Sequence, residues 1–187
     1  MEEMLMQPND LVLRARHNVY NSLAAAVAAR VVEVRSDVMR ESLRSFEGIP
    51  HRLEYVRDVD GVRYVNDAKA TNVNALWYAL ERFSEPVVLI VGGPDTGSDY
   101  RKLIPLIRDR VRALILIGEA ADMLHAELGP HVADAVIAET LTDAVHLSHL
   151  LAQTGDVVLL SPACSSIGQY TCFEEVGERF KQLVSNL

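Results

Sequence analysis

Beyond Pro50, short continuous apolar runs alternate with longer stretches in which apolar residues recur at helical spacing. The runs cover 86–91, 113–118, 133–138 and 156–160; the helical stretches cover 72–83, 100–110, 120–128, 141–153 and 173–184. Short apolar runs without polar alternation predict strands buried on both faces. Their interleaving with helices predicts an α/β domain built on a mostly parallel sheet, with helices on both faces. Ahead of these runs, Leu53-Glu54-Tyr55-Val56 and Val62-Arg63-Tyr64-Val65 flank Asp60-Gly61, a hairpin signal that adds an antiparallel edge strand. The N-terminal part reads differently. Residues 16–30 predict one helix and 36–45 a second, with Ser36 and Asp37 as cap candidates. Residues 1–10 are expected to fray. Glu47-Gly48-Ile49-Pro50 interrupts the pattern, so 1–47 is expected to be a short helical segment and 48–187 the α/β domain.

Composition removes several functional classes. The chain has 187 residues, 49% of them hydrophobic and 24% charged, which suits one globular domain with an appendage. A net charge of −8 argues against a nucleic-acid binder, which needs a basic face to neutralise phosphates. Two cysteines, Cys164 and Cys172, make neither a disulfide framework nor a zinc site by spacing, and a reduced, cytoplasmic setting is expected. No apolar run reaches membrane-spanning length, and the acidic N-terminus does not resemble a signal peptide.

The candidate chemistry lies at the strand ends. In a doubly wound sheet the loops 66–72, 92–99, 118–119 and 161–169 converge on one edge, where such sheets bind ligands. The densest is Asn66-Asp67-Ala68-Lys69-Ala70-Thr71-Asn72, which places a carboxylate, an ammonium, a hydroxyl and two amides where a helix begins. Gly92 and Gly97 have phosphate-loop spacing, but Ser98-Asp99 stands where Lys-Ser/Thr would have to be, so a Gly-rich turn is the favoured reading. Ser161-Pro162-Ala163-Cys164-Ser165-Ser166 could form an anion nest for a carboxylate. Cys164 is expected to be a small buried residue rather than a nucleophile. His146 and His149 are expected at the surface rather than on a metal. For Arg52, a phosphate or ribose ligand and an ordinary surface arginine stand level.

Together these motifs resemble the ATP-dependent Mur ligases of peptidoglycan synthesis, and within them the D-glutamate-adding branch. The resemblance is carried by His17-Asn18-Val19-Tyr20-Asn21, Pro50-His51-Arg52-Leu53-Glu54, the 66–72 motif, Gly92-Gly93 and Ser161-Pro162-Ala163-Cys164, in the family's order and spacing. It implies a three-domain enzyme of which 1–47 would be the last helices of the central ATPase domain. Residues 48–187 would be the Rossmann-like C-terminal domain that binds the incoming amino acid. The implied reaction activates a carboxylate of UDP-N-acetylmuramoyl-L-alanine with ATP to an acyl phosphate, which the amine of D-glutamate attacks.

On that resemblance Asn18, Asn21, Arg52 and Asp67 would contact the nucleotide, with Asp67 at the ribose. Lys69 would act near the phosphates or the reacting centre, and Thr71, Ser166, Ile167 and Phe173 would line the D-glutamate pocket. No metal ligand is expected in this chain. ATP and magnesium belong to the full enzyme, and neither is expected to bind tightly here alone, because the family's P-loop and magnesium ligands are absent from this sequence. Thr96 stands at a usual lysine, Ala68 and Ala75 at usual hydroxyls, Gly168 at a usual aspartate and Val176 at a usual arginine. The chain alone is therefore expected not to ligate. A free-standing, catalytically silent relative that binds a nucleotide or small acid, or docks on a partner, is the alternative. A dinucleotide-binding oxidoreductase is disfavoured, since no strand is followed by G-x-G-x-x-G. If the chain is cut from a larger enzyme, Leu23, Val27 and Val31 should be exposed.

Overall fold

A computed structural model describes residues 16–187 apart from 47, 95, 96, 165, 166, 168 and 169, and gives 16–18 as backbone alone. The chain divides into two compact units, Met1–Ile49 and Pro50–Leu187.

The first unit holds α1 (Arg16–Val31) and α2 (Ser36–Ser45). Glu33, with φ 61°, turns the chain between them. The N-cap of α2 is Arg35 in an extended conformation without a side-chain cap, not Ser36 or Asp37. Asp37 falls inside the first turn, where its carboxylate accepts the Val38 N–H and pairs with Arg35. Leu23, Val27 and Val31 lie 57, 62 and 78% exposed along one face of α1, an unsatisfied apolar stripe.

The second unit is a six-stranded sheet in the order β1-β2-β6-β3-β4-β5. The hairpin β1 (Glu54–Val59) and β2 (Val62–Asn66) is antiparallel. Asp60 (φ 51°) and Gly61 (φ 79°) both take the left-handed conformation that a tight hairpin turn requires. The remaining pairings are parallel: β2 with β6 (Val157–Leu160), β6 with β3 (Val87–Gly92), β3 with β4 (Val111–Ile117), and β4 with β5 (Asp134–Ala138). All six residues of β3 are buried, as its unbroken apolar run predicts.

Alternate residues of the strands feed two cores. Leu89, Val91, Leu114, Leu116 and Leu159 pack under α3 (Val73–Leu80), α4 (Ile104–Arg110) and α5 (Ala121–Leu128). Val88, Ile90, Ile115, Val158 and Leu160 pack under α6 (Leu141–Leu151) and α7 (Phe173–Ser185). The stretch expected as one helix over 100–110 is a 3-10 turn, Tyr100–Leu103, followed by α4. Pro105 causes the break: lacking an N–H, it suits the first turn of a new helix. The last strand, β6, inserts between β2 and β3. Helices cover one face from α3 to α5 and then cross to the other. The switch in strand order therefore lies at β6, and the ends of β2, β6 and β3 form the crevice where open α/β sheets bind ligands.

Candidate functional site

The strand ends are knitted together by backbone hydrogen bonds that continue past the sheet. Asp67 N–H donates to Leu160 O (2.8 Å), Ser161 N–H to Ile90 O (3.0 Å) and Gly92 N–H to Pro162 O (3.1 Å). Gly92 must be glycine, because a Cβ there would lie 2.1 Å from Ile117 O. This framework holds the 66–72 motif beside the start of the 161–169 loop.

Asp67 sits at the centre, only 4% exposed. Its Oδ1 accepts the Leu53 N–H at 3.0 Å and its Oδ2 accepts the Ser161 hydroxyl at 2.9 Å. Burial nevertheless pushes its pKa up to about 7, against these two donors and the attraction of Arg52 and Arg82. A carboxylate left this costly at a strand end is a mark of functional sites.

The Leu53 N–H belongs to a strained turn. His51 (φ 63°) and Leu53 (φ 47°) both occupy the left-handed region without being glycine, at about 1–3 kcal/mol each. Three contacts hold the turn: His51 N–H donates to Glu54 Oε2 (2.8 Å), Lys69 N–H donates to His51 O (2.9 Å), and Leu53 N–H donates to Asp67. Arg52, exposed, lies between the two strained residues.

The His51 side chain is buried at 8% exposure. Its Nδ1 lies 3.0 Å from Asn66 Nδ2, which can only donate. On the other side of the ring, Nε2 faces Glu178 Oε1 at 3.7 Å. Gly177 makes room for the ring, since a Cβ there would fall 2.2 Å from Nδ1. Asn66 also donates to Glu54 (3.0 Å) and accepts the Ala68 N–H (3.2 Å). Glu54 is lowered below its usual pKa: burial opposes ionisation, and the His51 N–H and Lys181 together outweigh it. The Phe173 ring meets His51 edge-on with centroids 6.1 Å apart, and Lys69 Nζ lies 4.3 Å above that same ring.

The structure thus brings together Arg52, Asp67, Lys69 and Phe173, from three separate stretches of sequence. Thr71 is half-buried one residue beyond Ala70, whose carbonyl accepts the Ala163 N–H at 2.8 Å. Ile167 is 1% exposed, its side chain packed in the core under α6 and α7. Asn72 caps α3, its side chain accepting the Ala75 N–H at 2.9 Å. Asn21 is exposed on α1. The side chain of Asn18 and all of Ser166, Thr96 and Gly168 lie outside the described residues. Val176 is wholly buried among apolar neighbours.

His51, Glu54 and Ser161 were named from sequence only as members of the 50–54 and 161–166 motifs, without roles of their own. Cys164 is 1% exposed, 3.3 Å from the Tyr100 hydroxyl, consistent with a small buried tether. His149 contacts the hydroxyl of Tyr64 at 3.2 Å, and burial raises that hydroxyl to about 12. Among the described residues no group of three or more His, Cys, Asp or Glu side chains is placed to hold a metal ion. No described helix is long and apolar enough to cross a membrane.

A family profile described as "Mur ligase, glutamate ligase domain" matches residues 51–164, from the strained turn to the buried cysteine of the crevice. This chain belongs to the Mur ligase family. Over its whole length it is 58% identical to the UDP-N-acetylmuramoylalanine–D-glutamate ligase of Salinibacter ruber and 43% identical to that of Chloroherpeton thalassium. It spans 40% of each of those relatives. Among solved structures, the UDP-N-acetylmuramate-alanine ligase MurC of Thermotoga maritima superposes with a TM-score of 0.69 at 17% identity, over 94% of this chain and 39% of that one. At that identity the likeness speaks to the fold alone. In this Mur ligase chain the profile ends before Phe173, which the fold nonetheless returns to the matched site.

Proposed function

We propose that this chain is the C-terminal, amino-acid-binding part of an ATP-dependent ligase that adds D-glutamate to UDP-N-acetylmuramoyl-L-alanine in cytoplasmic peptidoglycan synthesis. The 58% identity to the Salinibacter ruber D-glutamate ligase, over the whole chain, carries this reading. On it, residues 1–47 continue a central ATPase domain and 48–187 form the domain that closes on the nucleotide and presents the amino acid.

The crevice chemistry is consistent with those roles. Arg52 and Lys69 are exposed cations beside the strand ends, suited to polyanionic phosphates and to the carboxylates of glutamate. ATP supplies the phosphoryl group that activates the carboxylate. Lys69, held over Phe173, offers a positive charge where negative charge develops as the amide forms. Phe173 and Thr71 would flank the amino acid, with Ser166 contributing a hydroxyl and Ile167 acting through its backbone. Asp67 takes one protein donor on each oxygen, which holds the Leu53 turn, and its remaining lone pairs would accept from the ribose. No metal role is assigned to these residues.

The test is a chimera in which this chain replaces the matching 40% of the Salinibacter ruber enzyme, assayed for ATP-dependent phosphate release. The expected result is release that depends on D-glutamate and not on L-glutamate, with Lys69→Met lowering kcat by about a hundredfold. An inactive chimera beside an active parent would instead favour a catalytically silent relative.

A further inference from the structure

The geometry points to Ser161 as a positioning residue that, through Asp67, holds the 51–53 turn and thereby presents Arg52. This rests on the nucleotide-facing role proposed for that edge, and it adds a residue not otherwise assigned. Arg52 sits between His51 and Leu53, two non-glycine residues in left-handed conformations that the backbone does not adopt without restraint. The restraint on the Leu53 side is the Asp67 carboxylate at 3.0 Å. Asp67 is in turn fixed by its own N–H on Leu160 O and by the Ser161 hydroxyl, which is wholly buried and donates to Oδ2 at 2.9 Å.

Ser161 is the first residue beyond β6, the strand inserted at the switch point. The device therefore links the docking of the last strand against β2, through the two oxygens of Asp67, to the turn that carries Arg52. Charge strengthens the grip, because an ionised acceptor binds an N–H about twice as strongly as a neutral one. The charged groups acting on Asp67 are Arg52 on the turn and Arg82 beyond α3, both favouring ionisation. Without the hydroxyl, burial would be less opposed, and Asp67 would hold its proton to higher pH.

The experiment is carried out on the 187-residue chain, by carbon-detected titration of the Asp67 carboxyl and amide hydrogen exchange at Leu53. In the wild type, Leu53 protection, corrected for intrinsic exchange, should rise several-fold as pH increases through the Asp67 midpoint. Ser161→Ala should move that midpoint up by about one unit and reduce Leu53 protection at pH 7.5, and Ser161→Thr should restore both. Unchanged midpoint and protection in a folded Ser161→Ala variant would overturn the inference. Should that variant not fold, a wild-type Leu53 protection indifferent to Asp67 ionisation would overturn it equally. In an active chimera, Ser161→Ala should raise KM for ATP more than it lowers kcat. An inactive chimera would count against the proposed function while leaving the titration and exchange results to decide the role of Ser161.

Discussion

Two buried aspartates stand at opposite ends of β6, and the protein treats them differently. Asp156, just before the strand, is 2% exposed and faces Arg112. Arg112 Nη2 donates to Oδ1 at 3.2 Å, and Nε lies 2.8 Å from Oδ2, too far off line for a hydrogen bond. The Gln153 N–H completes the shell at 2.9 Å. Asp67, beside the far end of the strand, is almost as buried but receives a hydroxyl and a single backbone N–H, and its pKa rises to about 7. A buried carboxylate met by a guanidinium closes the base of the sheet. One met only by neutral donors stays unfavourable, and it persists at the edge where the strained turn, Lys69 and Phe173 assemble. The contrast separates a fold-building charge from a site-building one in the same sheet.

The largest effect that would test this contrast is on Asp67. Its folded pKa is raised above the reference 3.8, so its favourable contribution is complete below that value and is lost as pH rises through about 7. Asp67→Asn should therefore stabilise the chain at pH 8, by about 4 kcal/mol if the whole shift is relieved. The gain should vanish near pH 4. Urea unfolding at the two pH values checks it, and a variant weaker than wild type at pH 8 would remove the claim that Asp67 is costly. Next comes Arg112→Ala, which strands a buried carboxylate and should cost about 3 kcal/mol at pH 7. A loss under about 1 kcal/mol would mean that the base of the sheet does not need its guanidinium. The smallest effect is on Lys181→Met, which removes ion pairs to Glu54 (3.2 Å) and Glu178 (2.7 Å) at the rim of the site. These partly exposed pairs should contribute about 0.5 kcal/mol by thermal unfolding. A much larger loss would show that Glu54, rather than Asp67, anchors the turn.

Legibility from sequence followed the range of the interaction. The runs at 86–91 and 113–118 became β3 and β4 with shifts of one or two residues, because a strand buried on both faces leaves an unbroken apolar signature. Asp60-Gly61 made its hairpin turn because both residues tolerate positive φ. Errors arose where one residue changes role with its neighbours. Pro105 divided an expected helix, and Arg35 took the cap position ahead of Ser36. Within the candidate site, Lys69 and Asp67 were visible as chemistry in a strand-to-helix motif. His51 and Ser161 stood in quoted motifs but their burial was not legible, since a histidine beside an arginine and a serine before a proline carry no local sign of it.

By itself, the sequence determined the alternation of strands and helices, the antiparallel edge, the strand-end placement of the polar loops and the resemblance to Mur ligases. These depend on periodicity, turn chemistry and short motifs, all local properties of the chain. Only the tertiary structure decided that β6 lies between β2 and β3, that Ser161 therefore meets Asp67, and that α7 returns Phe173 to Lys69. Those contacts join residues about a hundred positions apart. They exist because burying two apolar faces forces the last strand into the centre of the sheet, and no local pattern encodes which neighbours it will find there.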